Sequence, residues 1–170
     1  LISGWEGLAI KGTSLNNSAK GTLSSKNGEL SVELSGLLDN RDEGALVSHG
    51  NQRVASRELL NNAGIISTQG ALELSASNSL DNRNKGLISA QNTLQVEART
   101  VANQAGQIAA GEALAIGADS LDNSAGLISS EADIGMQLAG ALINADRAQL
   151  ASAGALRIEA ASVDNRGGTL

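Results

Sequence analysis

The sequence predicts an all-β fold: a parallel β-helix, or solenoid, of roughly eight coils with about 20 to 22 residues in each coil. Two recurring markers and one alternation predict it. The first marker is Leu or Val, any residue, then Asn, and its successive asparagines lie 20 to 23 residues apart. The second is Gly, any residue, then Leu or Ile, with the glycine three or four residues after the asparagine. Between the markers, apolar residues alternate with others along short runs, which is the side-chain period of a β-strand.

Stacked coils would place each marker in a column. The asparagines are Asn17, Asn40, Asn61, Asn82, Asn103, Asn123, Asn144 and Asn165. The glycines are Gly21, Gly44, Gly64, Gly86, Gly106, Gly126 and Gly168, with Ala148 in place of glycine in the seventh copy. An inward Asn amide both donates and accepts, so it can bond the backbone at a bend and the Asn of the next coil. Asn also tolerates the left-handed conformation, and the glycine would supply a second permissive backbone position.

Each repeat is expected to contain three short strands and three bends. The apolar positions fall into three runs of period two, as at Leu94 and Val96, and the breaks between runs indicate corners. The third repeat departs most, because Gln52 stands where the other copies have Leu or Ile, and we expect local distortion of that coil. A helical solenoid is disfavoured, since no segment keeps an apolar stripe at positions i, i+3, i+4 and i+7 over several turns.

Composition limits the kind of protein. The chain has 170 residues, 41% of them hydrophobic, with a single Trp and no Phe, Tyr, Pro or Cys, so the interior must be narrow and aliphatic. The absence of cysteine excludes a disulfide framework and a Cys-ligated zinc site. A net charge of −6 argues against a nucleic-acid partner, and no apolar run is long enough for a membrane span. Without an initiator Met, residues 1–170 are expected to be a single β-helix segment excised from a longer chain.

The residue before each marker asparagine shows a two-coil regularity. It is Asp in every second repeat, at Asp39, Asp81, Asp122 and Asp164, and Arg follows the asparagine in three of those four repeats. One hypothesis is that the alternation avoids a ladder of like charges, because adjacent carboxylates about 4.8 Å apart would repel by roughly 0.9 kcal/mol in water. The other is duplication of a two-coil ancestor. Both remain open at this point.

The segments Leu-Asp-Asn and Gly-Leu-Ile-Ser at residues 80–82 and 86–89, and again at 121–123 and 126–129, resemble the filamentous haemagglutinin repeat. That family comprises exoproteins of two-partner secretion in Gram-negative bacteria, including adhesins and carriers of contact-dependent growth inhibition toxins. The resemblance covers essentially the whole chain. It implies a right-handed parallel β-helix filament, export through an outer-membrane transporter and display at the cell surface, in a virulence setting. It does not separate an adhesin from a toxin carrier.

No catalytic, cofactor or metal site is expected. His49 is the only histidine and is expected at a solvated bend. The Asp residues of the repeat could be compared with the clustered carboxylates of β-helix polysaccharide hydrolases, but they recur with the register of the repeat, which favours a structural role. Trp5 is the one candidate ligand contact. It could be an exposed platform for a sugar ring, or it could pack against a neighbouring coil.

The sequence therefore predicts a non-enzymatic stalk segment of a secreted, surface-displayed adhesin or toxin-delivery protein. A first alternative is an adhesive module that contacts host glycan or protein, and a second, less favoured, is a polysaccharide-active enzyme. The expected partners are the flanking coils of the same chain, the outer-membrane transporter during export, and a receptor on a host or bacterial surface. No cofactor is expected. Open β-helix ends present unpaired strand edges, so end-to-end self-association is also expected.

Overall fold

A computed structural model covers all 170 residues and contains twenty β-strands and no helix. In chain order the strands are β1 Ile2–Gly4, β2 Leu8–Gly12, β3 Leu15–Asn16, β4 Thr22–Ser25, β5 Leu30–Leu34, β6 Leu37–Asp39, β7 Ala45–Ser48, β8 Gln52–Leu60, β9 Ile65–Thr68, β10 Leu72–Asp81, β11 Leu87–Ala90, β12 Leu94–Ala102, β13 Gln107–Ala110, β14 Leu114–Asp122, β15 Leu127–Ser130, β16 Ile134–Leu138, β17 Ala141–Ile143, β18 Gln149–Ser152, β19 Leu156–Glu159 and β20 Ser162–Asp164.

The strands form two parallel sheets that run the length of the molecule. The first has eight strands in the order β1-β4-β7-β9-β11-β13-β15-β18. The second has twelve, with β19-β16-β14-β12-β10-β8-β5-β2 as its continuous path and β3, β6, β17 and β20 beside it. Each strand pairs with the equivalent strand of the next coil, as Leu87 of β11 does with Gln107 of β13. The predicted β-solenoid of about eight coils is confirmed.

The corner between the second and third strands of a coil varies along the molecule. Two coils at each end keep separate strands, β2 and β3, β5 and β6, β16 and β17, and β19 and β20. In the four central coils the two run together as β8, β10, β12 and β14, each nine or ten residues long. Gly36 and Gly140 lie at the corner where β5 and β16 end, whereas β8 continues there through Ser56 and Arg57. The third strand is thus present in every coil, continuous with the second in the four central coils and separate from it in the two coils at each end.

The core is a stack of aliphatic layers. Twenty-nine buried residues form one cluster in which Met136 is the only residue other than Leu, Ile, Val and Ala. One column consists of Leu23, Leu46, Ile66, Ile88, Ile108, Ile128 and Leu150, paired in register and at most 1% exposed. Coils about 4.8 Å apart bring aliphatic side chains of similar size into contact, so this interior packs without aromatic residues.

Gln52 occupies a core position without disturbing the coil. It pairs in register with Leu30 of the coil before and Leu72 of the coil after, so the expected distortion of the third coil is wrong. The irregularity lies one coil further on, where β10 shifts register between Ala76 and Ser79 against both neighbouring strands. Gln52 is only 1% exposed, and neither its amide nitrogen nor its amide oxygen has a hydrogen-bond partner. Gln52 therefore keeps the backbone geometry of the repeat, and its effect is the energetic cost of a buried, unpaired amide.

Replacing Gln52 with leucine is expected to raise the free energy of unfolding by about 2 kcal/mol, because burying an unpaired amide costs roughly 1–3 kcal/mol. Leucine is the residue at the paired positions 30 and 72. The measurement is equilibrium unfolding in urea. Gln95→Leu, at an exposed position of β12, is the matched control and should change the stability little. An unchanged or lowered urea midpoint for Gln52→Leu would show that the amide is satisfied in solution.

Candidate functional site

The eight marker asparagines form a hydrogen-bonded ladder along one corner of the solenoid. Asn17 through Asn144 are buried, six of these seven at 0% exposure, and Asn165 in the last coil is partly buried. Each Nδ2 donates to the Oδ1 of the next asparagine, at 2.7–2.9 Å, in the pairs 17–40, 40–61, 61–82, 82–103, 103–123, 123–144 and 144–165. All the amides point the same way, so the ladder is a head-to-tail chain of hydrogen bonds that polarise one another.

The same Nδ2 groups also donate to backbone carbonyls. Five of the seven donate to the marker glycine of their own coil, at 3.0–3.4 Å. All seven donate to the next coil, where the acceptors are the carbonyl oxygens of Ala45, Ile65, Leu87, Gln107, Leu127, Gln149 and Thr169, at 2.9–3.4 Å. Each of these residues lies directly after the marker glycine or its substitute. The side chain therefore links two coils through two bonds, and it does so at a bend where the backbone carbonyls need donors.

The left-handed residues of this corner lie between the asparagine and the glycine. Where the two markers are four residues apart, two residues have positive φ, as Asn84 and Lys85 do; where they are three apart, one does, as Ala105 does. No marker asparagine or marker glycine has a positive φ. The expectation that these two residue types supply the left-handed conformation is therefore wrong.

The marker glycines are required because the asparagines approach them closely. A Cβ built on Gly106 would lie 2.0 Å from the carbonyl oxygen of Asn82 and 2.6 Å from Oδ1 of Asn103. In the four-residue corners the approach is less tight, and a Cβ on Gly86 would lie 2.5 Å from the carbonyl oxygen of Asn61. Ala148, which replaces glycine in one four-residue corner, is fully buried there.

The four aspartates form a second column beside the ladder, alternating with Leu60, Ala102 and Ile143. Each Oδ1 accepts the backbone N–H of the residue two further on, namely Arg41, Arg83, Ser124 and Arg166. The three arginines also donate through Nε and Nη2 to the same aspartate, at 2.6–2.9 Å. The ion pairs thus close turns within one coil and do not bridge coils.

These pairs lower the pKa values of three aspartates. Hydrogen bonds from the Arg41 side chain hold the pKa of Asp39 below its ordinary value. Burial raises the pKa of Asp81, but hydrogen bonds from Arg83 outweigh it and the net direction is downward. Hydrogen bonds from Arg166 lower the pKa of Asp164 to about 2. Three of the four carboxylates in this column are therefore neutralised locally by arginine, whereas Asp122 is bonded by Ser124 and Gln104.

Acid is expected to destabilise the solenoid through these aspartates. Because their folded pKa values lie below the unfolded value of about 3.9, their stabilising effect is complete above about pH 4 and is lost as the pH falls towards 2. Melting temperatures of the wild type and Asp39→Asn, measured from pH 5 to pH 2, should therefore converge at low pH. Glu131→Gln, at an exposed carboxylate without a hydrogen bond, should differ from the wild type by a constant small amount. A gap for Asp39→Asn that is also independent of pH would contradict the proposed linkage.

Trp5 and His49 lie at exposed positions outside these columns. Trp5 follows β1 and is 67% exposed, and Nζ of Lys26 lies 5.7 Å from the centre of its ring. His49 lies at the bend after β7 and is exposed. No three His, Cys, Asp or Glu side chains come together as a metal-binding group. No helix in the structure is long and apolar enough to cross a membrane.

A carboxylate-lined groove crosses the second sheet. It has a volume of about 560 Å³, and Glu97, Asp119 and Glu159 are among its lining residues. Two of these acids are paired with arginine, Asp119 with Arg99 at 3.9 Å and Glu159 with Arg157. Glu97 and Glu159 belong to one column of the repeat register but lie three coils apart, with Gly117 and Gln137 between them.

Comparison with known proteins agrees with the repeat architecture. The family model described as the haemagglutinin repeat matches residues 1–42, 27–84 and 68–170. No curated protein and no solved structure was found to match the chain. The three matched ranges overlap and together cover the full sequence, which contains the ladder and both sheets. The chain therefore belongs to the haemagglutinin repeat family.

Proposed function

We propose that this chain is a rigid stalk segment of a secreted filamentous adhesin-type protein, displayed at a bacterial surface after export through an outer-membrane two-partner transporter. The observation that carries the proposal is the asparagine ladder, which runs without a gap from Asn17 to Asn165. It connects every coil to the next at a buried corner. Bending at any coil would break buried hydrogen bonds, each of which is costly to leave unmade.

The surface supports the same role. The bends between strands are short, and the grooves lie open on the outer surface of the solenoid. Eight coils at about 4.8 Å give a rod of roughly 38 Å. A stalk of this kind would hold a distal domain away from the cell, and it would serve an adhesin and a contact-dependent inhibition toxin carrier alike.

Rigidity can be measured with a pair of spin labels. Arg53 and Arg157 lie in one surface column, five coils apart, and the chain has no cysteine of its own. Labels on Arg53→Cys and Arg157→Cys should give one narrow distance distribution centred at about 24 Å. The same pair in concentrated urea is the control and should give a broad distribution. A broad or two-component distribution under native conditions would contradict a rigid stalk.

An adhesive module is the second candidate function, and the exposed Trp5 ring favours it. An indole face with a nearby cation suits the apolar face of a sugar ring, and Trp5 is the only aromatic residue in the chain. Glycan-array binding by the wild type that is lost in Trp5→Ala would support adhesion by this segment. Absence of binding at high micromolar concentration would leave the stalk as its function.

A further inference from the structure

The outer face of the eight-stranded sheet carries no charged residue. In each strand of this sheet the buried side chains alternate with outward ones, as Leu23 and Ser25 alternate with Thr22 and Ser24 in β4. The outward residues of β4, β7, β9, β11, β13, β15 and β18 are Thr22, Ser24, Ala45, Val47, Ile65, Ser67, Leu87, Ser89, Gln107, Ala109, Leu127, Ser129, Gln149 and Ala151. We call this set the uncharged face.

The lack of charge is specific to this face. The chain has 18 acidic and 12 basic residues. The outer face of the second sheet carries many of them, including Lys11, Glu33, Arg53, Glu73, Glu97, Arg99, Arg157 and Glu159. Ile65, on the uncharged face, is 38% exposed, and it is the only large exposed hydrophobic residue outside the first and last coils. If this face were fully solvated, a chain of this composition would be expected to place some of its charged residues on it.

Grooves with charged residues border the uncharged face on both sides. At the asparagine corner a groove of about 510 Å³ includes Lys85 and Arg147. At the opposite edge two grooves of about 500 and 720 Å³ include Lys26 and Glu131. An uncharged centre with a charged, solvated rim is the arrangement found in protein–protein interfaces.

We propose that the uncharged face binds a second copy of this chain, sheet against sheet, so that two rods associate side by side. A second copy fits because both molecules carry a net charge of −6, and the uncharged face is where two of them can meet without opposing charges. The outward side chains are mostly small, so two such faces can approach to the spacing of about 10 Å between packed sheets. Both faces repeat at the same coil spacing, so side chains that interdigitate at one coil do so at the others.

Some hydroxyl groups of this face already bond one another between coils. Ser24 donates to Oγ of Ser3 at 2.8 Å, and Ser89 donates to Oγ of Ser67 at 2.9 Å. Serines that are already bonded to one another between coils lose less on being covered than free hydroxyls would.

The area of the uncharged face determines how tightly two copies are expected to bind. Four residues per strand and the seven strands of the uncharged face give an area of about 13 by 34 Å, roughly 900 Å² for two copies before the rims are added. That is below the roughly 1,000 Å² expected of a specific interface, so the dimer should be weak and transient, with a dissociation constant on the order of 100 µM. Added salt screens the net repulsion between the rods and should strengthen the dimer.

Sedimentation equilibrium from about 10 µM to about 1 mM, at low and high salt, tests the proposal, with small-angle X-ray scattering to measure shape. A lateral dimer keeps the rod length and widens its cross-section. Ile65→Lys and Gln107→Glu, which each bury two charges of like sign in the contact, should each weaken the dimer at least tenfold. Gln95→Lys and Gln137→Glu, at exposed positions of the second sheet, are the matched controls and should dimerise as the wild type does.

Three outcomes would overturn the proposal. A monomer at every concentration and salt level would show that the face is not a contact. A dimer of doubled length would show association through the ends. A lateral dimer weakened equally by the control substitutions would place the contact elsewhere. Circular dichroism spectra and melting curves of all four variants should show that each remains folded, since every substitution lies on an outward side chain.

Discussion

Replacing Asn103 with alanine is expected to lower the free energy of unfolding by about 3–5 kcal/mol. The Asn103 amide accepts a bond from Asn82 and donates to Oδ1 of Asn123 and to the carbonyls of Gly106 and Leu127. Its removal leaves the Asn82 amide without this acceptor and three oxygen atoms without this donor, and leaving a buried polar group unpaired costs about 1–3 kcal/mol. The alanine would also leave a cavity at a fully buried position.

The matched control lies in the same column. Asn165 is partly buried and only accepts one ladder bond, from Asn144, so Asn165→Ala should cost about 1 kcal/mol. Equilibrium unfolding in urea, followed by circular dichroism, compares the two variants. If both variants lost the same free energy of unfolding, the hydrogen bonds between coils at Asn103 would contribute nothing to stability.

An aspartate tests the direction of the ladder. Asn103→Asp keeps the shape of the side chain but replaces the donating amide with a second acceptor, which would then face Oδ1 of Asn123. At neutral pH this variant should be at least as unstable as Asn103→Ala, because a buried carboxylate without a donor is costly. If Asn103→Asp retained wild-type stability at neutral pH, the amide orientation described for this column would be wrong.

Replacing Gly106 with alanine is expected to cost about 3 kcal/mol or more, at the upper end of the range for overpacked sites. The new Cβ would lie 2.0 Å from the carbonyl oxygen of Asn82, a backbone atom that cannot move without breaking the ladder at that coil. The added methyl group would therefore clash with a residue of the asparagine ladder, which joins the coils.

Gly86→Ala is the control for this substitution. Gly86 lies in a four-residue corner, the type in which the chain itself has Ala148, and its Cβ would lie 2.5 Å from the nearest atom. We expect a loss of about 1 kcal/mol, at the lower end for overpacking. Melting temperatures of the two variants suffice for the comparison. Similar losses at positions 86 and 106 would show that corner length does not decide how tightly the glycine is packed.

Periodicity along the chain determined the coil architecture. The spacing of Asn82, Asn103 and Asn123 predicts stacked coils, and the alternation at Leu94 and Val96 predicts which side chains face inward. Both are patterns in residue type alone, and a parallel stack converts them directly into columns. The alternation of aspartate at Asp39 and Asp81 is also visible in the sequence. The sequence does not show that Arg41 and Arg83 form ion pairs with the aspartates of their own coils.

The backbone conformation at the asparagine corner was harder to predict from the sequence. A difference of one residue between the three-residue and four-residue corners is present in the sequence, and it was the signal that could have predicted one or two left-handed residues at Ala105 or at Asn84 and Lys85. Nothing in the pattern of residue types shows that a glycine is needed for close approach and not for its dihedral angles. That depends on where the backbone of the preceding coil passes.

The sequence by itself thus determined that this protein is a β-solenoid of about eight coils with an asparagine column, because repeat period and alternation are local properties of the chain. Only the tertiary structure decided which atoms meet between coils: the head-to-tail amides, the closely approached glycines, the unpartnered Gln52 and the continuous uncharged face. These contacts join residues about 21 positions apart. Their geometry depends on how one coil is offset upon the next, which residue order alone does not specify.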